Sequence, residues 1–169
     1  PLEARERPFL EAIQVGYLLR AAALDRSAAA APYIACLALT GCRSGEVMGL
    51  DAEDVDRAAG LLRIRPNRWR LLKTPAAQRD VPIWPQLRSY LPAVVAGPLF
   101  PGVGRRRGRP RQDRADLFRR VLARARALAA ADGVAFPAVH VTPHPLRHSS
   151  CAMRLQTIDG AAPVARFTV

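Results

Sequence analysis

Lysine is almost missing from this chain. Of 26 lysines and arginines, Lys73 is the sole lysine. A guanidinium stays charged at any working pH, so it holds charge but cannot hand over a proton; an ammonium group can, once its pKa is lowered. Among cationic side chains other than histidine, proton donation is therefore confined to one position. Lys73 falls in a turn between two strand-like runs, residues 61–65 and 81–83. Position alone does not separate a chemical role from the chance placement of a surface lysine.

Other shortages narrow the class. Aromatic residues make up only 6% of the 169, and half the chain is hydrophobic, which fits one alanine-rich helical domain with a real core. Acidic residues number 14, leaving a net charge of +12. A chain this basic meets a polyanion; nucleic acid is the default and an acidic membrane surface the alternative. No long apolar run exists, since residues 28–39 are few and carry Pro32, which argues against a membrane span. The charged opening, residues 1–8, does not read as a signal peptide. Cys36, Cys42 and Cys151 form an odd set without CxxC spacing and read as reduced packing residues of a cytoplasmic protein.

Apolar periodicity predicts a helix over residues 9–23, with Leu10, Ile13, Tyr17 and Leu18 on one stripe. Pro32 opens a second helix that Gly41 ends, and residues 44–50 form a third. Asp54, Asp56 and Gly60 mark a loop before the strand at 61–65. Residues 69–72 continue the sheet after a kink at Pro66, and 81–83 return along it. Residues 85–94 read as helix until Pro92 disturbs it. Leu99, Phe100 and Pro101 anchor a loop, 102–111, that is too rich in arginine and glycine to pack. Asp113 caps a helix over 114–131, and Thr142 followed by Pro143 starts another. The expected fold is α+β, mainly helical, with a small three-stranded antiparallel sheet carrying Lys73.

Three distant segments carry unusual polar content. Thr40, Gly41, Arg43, Glu46 and Leu50 match T-G-x-R-x-x-E-x-x-x-L, and Asp54 and Asp56 follow as D-x-D. Lys73 and Thr74 precede Arg79 and the triplet Val81, Pro82, Ile83; Leu99, Phe100 and Pro101 come next. Residues 144–148 read H-P-L-R-H. Together these resemble the catalytic domain of the tyrosine recombinases, the phage-integrase family, in order and spacing from about Arg7 to Gln156. The resemblance implies a domain at 1–156 followed by a divergent tail at 157–169. It implies double-stranded DNA as partner, with other recombinase protomers on that DNA, no membrane, and a nucleoid-associated location.

The chemistry implied is attack of a tyrosine hydroxyl on phosphorus, with charge growing on the phosphate oxygens. Arg43 and Arg147 correspond to the guanidiniums that bond those oxygens. Lys73 corresponds to the acid that protonates the departing 5′ oxygen. His144 corresponds to the base and phosphate contact, Glu46 to a carboxylate that orients Arg43, and His148 to a supporting residue. The guanidiniums do what a metal does elsewhere, so no metal or cofactor is implied. His140, His144 and His148 fall four apart, but Pro143 and Pro145 break the helical face a metal site would need.

Two parts of the family pattern that follow the H-P-L-R-H box are missing, an L-G-H-like box and the nucleophilic tyrosine. The three tyrosines, Tyr17, Tyr33 and Tyr90, all precede His144, and the tail from Thr157 lacks an L-G-H-like box, as a frameshift or early stop would leave it. Tyr17 and Tyr33 read as core, and Trp69 and Trp84 as core or hairpin packing. The chain alone is expected to form no covalent DNA adduct. Its rivals are a non-enzymatic DNA-binding remnant, a type IB topoisomerase-like domain and a generic basic RNA-binding protein. Arg105, Arg106, Arg107, Arg109 and Arg111 are expected to touch DNA. Arg107, Gly108, Arg109 and Pro110 also match the AT-hook core, which lays arginines into a narrow A·T minor groove; phosphate contact without sequence choice is the simpler reading.

Overall fold

The computed structural model describes residues 10–93, 96–101, 114–137, 141–143 and 146. Its elements run α1 (Ala12–Ala23), α2 (Ala30–Thr40), α3 (Ser44–Met48), β1 (Val55–Asp56), β2 (Leu61–Ile64), β3 (Arg79–Pro82), α4 (Pro85–Arg88) and α5 (Arg114–Ala131). Short 3-10 turns at Ala52–Asp54 and Pro75–Ala77 precede β1 and β3.

The helix α2 is the centre of the molecule. Tyr33, Ile34, Ala35, Cys36, Leu37 and Ala38 are all buried, so it is apolar around its circumference rather than along one stripe. The helix α1 packs against both α2 and α5. From α5, Leu117, Phe118, Val121, Leu122 and Ala125 enter the core; Arg119 and Arg124 between them face outward as the sequence pattern predicts, and Arg120 is partly buried against Asp25. Each large apolar side chain fully buried here stabilises the fold by about 1.5–3 kcal/mol. Tyr33 meets the Phe100 ring edge-on, with centroids 5.8 Å apart. That contact gives the anchor at residues 99–101 its buried end.

The sheet is antiparallel in the order β1-β2-β3. Leu62 pairs with Val55 on one side and Val81 on the other; Ile64 pairs with Arg79 at the last rung. Alternation sends Leu62 and Ile64 into the core.

The expected α+β architecture is present, with two local corrections. The third strand is Val55–Asp56, read from sequence as loop, and not residues 69–72. Arg70 explains the difference. Asn67 and Arg70 exchange two backbone hydrogen bonds in a tight turn. The Arg70 side chain then turns inward, 4% exposed, where a strand would have sent the chain onward. Its guanidinium donates to the carbonyls of Arg65 and of Glu46 and to Asp54 Oδ2. The second correction concerns residues 85–94. Helix α4 stops at Arg88, and Pro92 disfavours helical backbone in the residue before it and brings no N–H of its own.

Neither tryptophan is a core residue, the first of the two readings given for them. Trp69 and Trp84 are 39% and 41% exposed. Trp69 Nε1 donates to Asp51 Oδ2 at 2.7 Å while the Arg68 guanidinium lies 4.9 Å from its ring centroid. Cys36 and Cys42 are buried free thiols, as read. No helix among the described residues is long and apolar enough to cross a membrane.

Candidate active site

The T-G-x-R box is a helix stop followed at once by a helix start. Gly41 has φ +70°, the left-handed conformation that ends α2 and that side-chain-bearing residues adopt only at a cost. Thr40 fastens the corner: its hydroxyl donates to the Cys36 carbonyl at 2.6 Å and accepts from the Cys42 N–H at 3.0 Å. Arg43 then stands in extended backbone as the residue before α3. Glu46, at the third helical position, reaches back and accepts the Arg43 N–H at 2.8 Å.

The same carboxylate holds the arginine side chain. Arg43 Nη1 donates to Glu46 Oε1 at 3.0 Å, while 49% of the Arg43 side chain remains exposed. One edge of the fork is tied down and the remainder faces solvent. Glu46 itself is only 5% exposed. Its second partner is Arg79, whose Nη2 reaches Oε2 at 2.7 Å and whose Nη1 lies 3.3 Å from Oε1. Burial pushes the Glu46 carboxyl up, but the hydrogen bonds from Arg79 and Arg43 outweigh it and hold the pKa at about 2. The carboxylate in turn raises the Arg79 guanidinium above its ordinary value. Cys42 lies beside them, 3% exposed; its thiol is pushed up chiefly by burial.

Lys73 is exposed, in the connection between β2 and β3 just ahead of the Pro75–Ala77 turn. Arg79 Nη1 donates to the Ala77 carbonyl at 2.9 Å, so the segment following Lys73 is tied to Glu46 through that guanidinium. Arg43, Glu46 and Arg79 are brought together directly. Lys73 lies further along the chain, exposed, four residues before the Ala77 carbonyl that Arg79 holds.

Sequence reasoning placed Arg79 in the family pattern without giving it a task. The signal was present in the period-two alternation: Arg79 shares a face with the buried Val81, whereas Asp80 and Pro82 point out. An arginine on the inward face of a strand needs an acid, and Glu46 is that acid.

His144, Arg147 and His148, the loop arginines Arg105, Arg106, Arg107, Arg109 and Arg111, His140, Cys151 and the tail at 157–169 lie outside the described residues. Val141 and Leu146, which bracket His144, are buried, and the backbone is helical at Pro143 and Leu146.

The tyrosines fall as follows. Tyr33 is fully buried, its hydroxyl 3.0 Å from Ser44 Oγ. Tyr17 packs on the core and donates to Asp132 Oδ2 at 2.8 Å. Tyr90 is partly buried, and burial raises its pKa.

No protein-family model matches the chain. No curated protein matches it either. Solved structures do. That of XerA recombinase aligns with 93% of this chain at 23% identity and a TM-score of 0.63; the chain spans about half of it, 52%. The catalytic domain of bacteriophage HP1 integrase aligns with 91% of this chain, and with 80% of its own length, at 23% identity and a TM-score of 0.55. Both are tyrosine recombinases. In architecture, then, this chain has the fold of a tyrosine recombinase catalytic domain.

Proposed function

We propose that this chain binds double-stranded DNA and supplies the phosphate-binding and proton-donating groups of a tyrosine-recombinase reaction, the breakage and rejoining of DNA strands in site-specific recombination or integration. Arg43 and Arg147 bond the non-bridging oxygens of one phosphodiester. Lys73 gives its proton to the 5′ oxygen as the P–O bond breaks. His144 contacts the phosphate and takes the proton of the attacking hydroxyl. Glu46 orients Arg43, and His148 is a supporting residue that hydrogen-bonds inside the fold rather than reacting. The arginines of residues 105–111 hold the DNA backbone. The reaction uses no metal and no cofactor, and its setting is the nucleoid.

The observation that supports this reading best is Arg43, fixed at one edge by a buried carboxylate with half its side chain open to solvent.

No tyrosine follows His148 in these 169 residues. Tyr17, Tyr33 and Tyr90 all precede the H-P-L-R-H segment, so the attacking hydroxyl of the proposed reaction is none of these three. That observation favours a second reading, DNA binding without catalysis. A nicked duplex offered together with hydroperoxide as a small external nucleophile separates the two. The catalytic reading expects strand cleavage that is lost in Arg43→Ala and Lys73→Ala. Binding without cleavage would leave the second reading. A covalent protein–DNA band that disappears in Tyr17→Phe, Tyr33→Phe or Tyr90→Phe would overturn the claim that the nucleophile lies elsewhere.

A further inference from the structure

Three charges meet at Glu46: one carboxylate and the guanidiniums of Arg43 and Arg79. Their sum is one surplus positive charge. The two arginines do not share the acid equally. Arg79 approaches both carboxylate oxygens with both terminal nitrogens, at 2.7 and 3.3 Å, and its side chain is 33% exposed. Arg43 offers one side-chain nitrogen at 3.0 Å and is 49% exposed. A two-pronged contact is the stronger kind.

The rest of the Arg79 fork reaches two further segments. Its Nη1 donates to the Ala77 carbonyl at 2.9 Å, and its Nη2 lies 3.3 Å from Cys42 Sγ. Ala77 is buried and its N–H donates to the Thr74 carbonyl at 3.0 Å, which leads directly to Lys73. The sheet cannot do this work. Arg79 sits on the last rung of the β2–β3 ladder, opposite Ile64, and Lys73 lies beyond it.

We infer that Arg79 is a positioning residue for the proposed phosphate site: it ties the Lys73-bearing connection to the Arg43–Glu46 turn and occupies the Glu46 carboxylate, so that Arg43 keeps its charge for a phosphate. Without Arg79, Glu46 and Arg43 would neutralise each other, and the turn after Lys73 would lose its side-chain tether. Glutamine at this position removes the charge. Lysine keeps the charge but cannot span carboxylate and carbonyl with a planar fork. The inference rests on the function proposed above for Arg43 and Lys73.

The test is nuclear magnetic resonance of the full chain, following the Glu46 carboxyl carbon with pH and the Arg43 Nε–H during titration with inorganic phosphate. Amide dispersion reports folding. In the wild type Glu46 titrates near 2 and phosphate shifts the Arg43 signal. In Arg79→Gln the Glu46 midpoint rises by roughly 1–3 pH units, because one of its two cations is gone. The phosphate midpoint at Arg43 weakens about tenfold. Arg79→Lys restores most of the Glu46 midpoint and only part of the phosphate response. A folded Arg79→Gln that binds phosphate at Arg43 as the wild type does overturns the inference and leaves the proposed function standing. A wild type whose Arg43 ignores phosphate overturns both. Should Arg79→Gln lose amide dispersion, Arg79→Lys decides alone: a full phosphate response overturns the inference, and an intermediate one supports it.

Discussion

Glu46→Gln gives the strongest test of the electrostatics described above, because its effect is specified in both size and pH dependence. Glu46 titrates near 2 in the folded chain against an ordinary value of 4.5. At about 1.4 kcal/mol per pH unit, the ionised carboxylate contributes about 3 kcal/mol to folding at neutral pH. The folded pKa is the lower one. The contribution is therefore complete above the unfolded value and fades as pH falls towards 2. Urea unfolding at pH 7 should show Glu46→Gln less stable by about 3 kcal/mol, with an unchanged m-value. At pH 3 the gap should close to roughly 1 kcal/mol, since the wild type has then lost most of the advantage. The amide accepts with one oxygen only and turns its own N–H groups towards two guanidiniums that also donate. A gap of the same size at both pH values would mean that shape, not charge, holds this turn together. A gap near zero at pH 7 would refute the reasoning outright.

Three further outcomes follow from the same geometry. Arg70→Ala strips a buried guanidinium from Asp54 and from the carbonyls of Glu46 and Arg65, and should cost about 3–5 kcal/mol by chemical denaturation. Gly49→Ala builds a Cβ that overlaps the Cβ of Arg70; it should cost about 1–3 kcal/mol, and the loss should persist in an Arg70→Ala background because that carbon remains. Replacing both Arg107 and Arg109 by alanine should reduce the slope of log affinity against log salt on duplex DNA by about 2, read by fluorescence anisotropy. A selective loss on A·T-rich duplex in that experiment would mark the AT-hook reading, and a uniform loss would mark plain phosphate contact.

The helices were legible where the apolar pattern had a clear period and a clear end. Gly41 announced the end of α2, and the stripe Leu117, Val121, Leu122 announced the inward face of α5. The sheet was legible only in part. Residues 69–72 have strand-like composition, and nothing in their period shows that Arg70 turns inward to satisfy carbonyls from β2 and α3; such a choice is made by distant partners. Likewise β1 is too short to carry an alternation of its own and exists because Leu61 and Leu62 offer it a ladder. For the site, the spacing of Arg43 and Glu46 already places both at the start of one helix, where the carboxylate meets the arginine's backbone and side chain. The link from Glu46 to Arg79 crosses |i−j| = 33 residues and needed coordinates.

Because residues 33–38 of α2 are buried and only Gly41 and Cys42 stand between the end of that helix and Arg43, the core and the proposed chemistry are close neighbours along the chain. A methyl group removed at the buried Ile34 lowers stability by about 0.5–1.5 kcal/mol, and any shift it causes at the helix end reaches Arg43 through two residues. Attempts to make this domain sturdier by repacking its middle would therefore retune its reactivity as well.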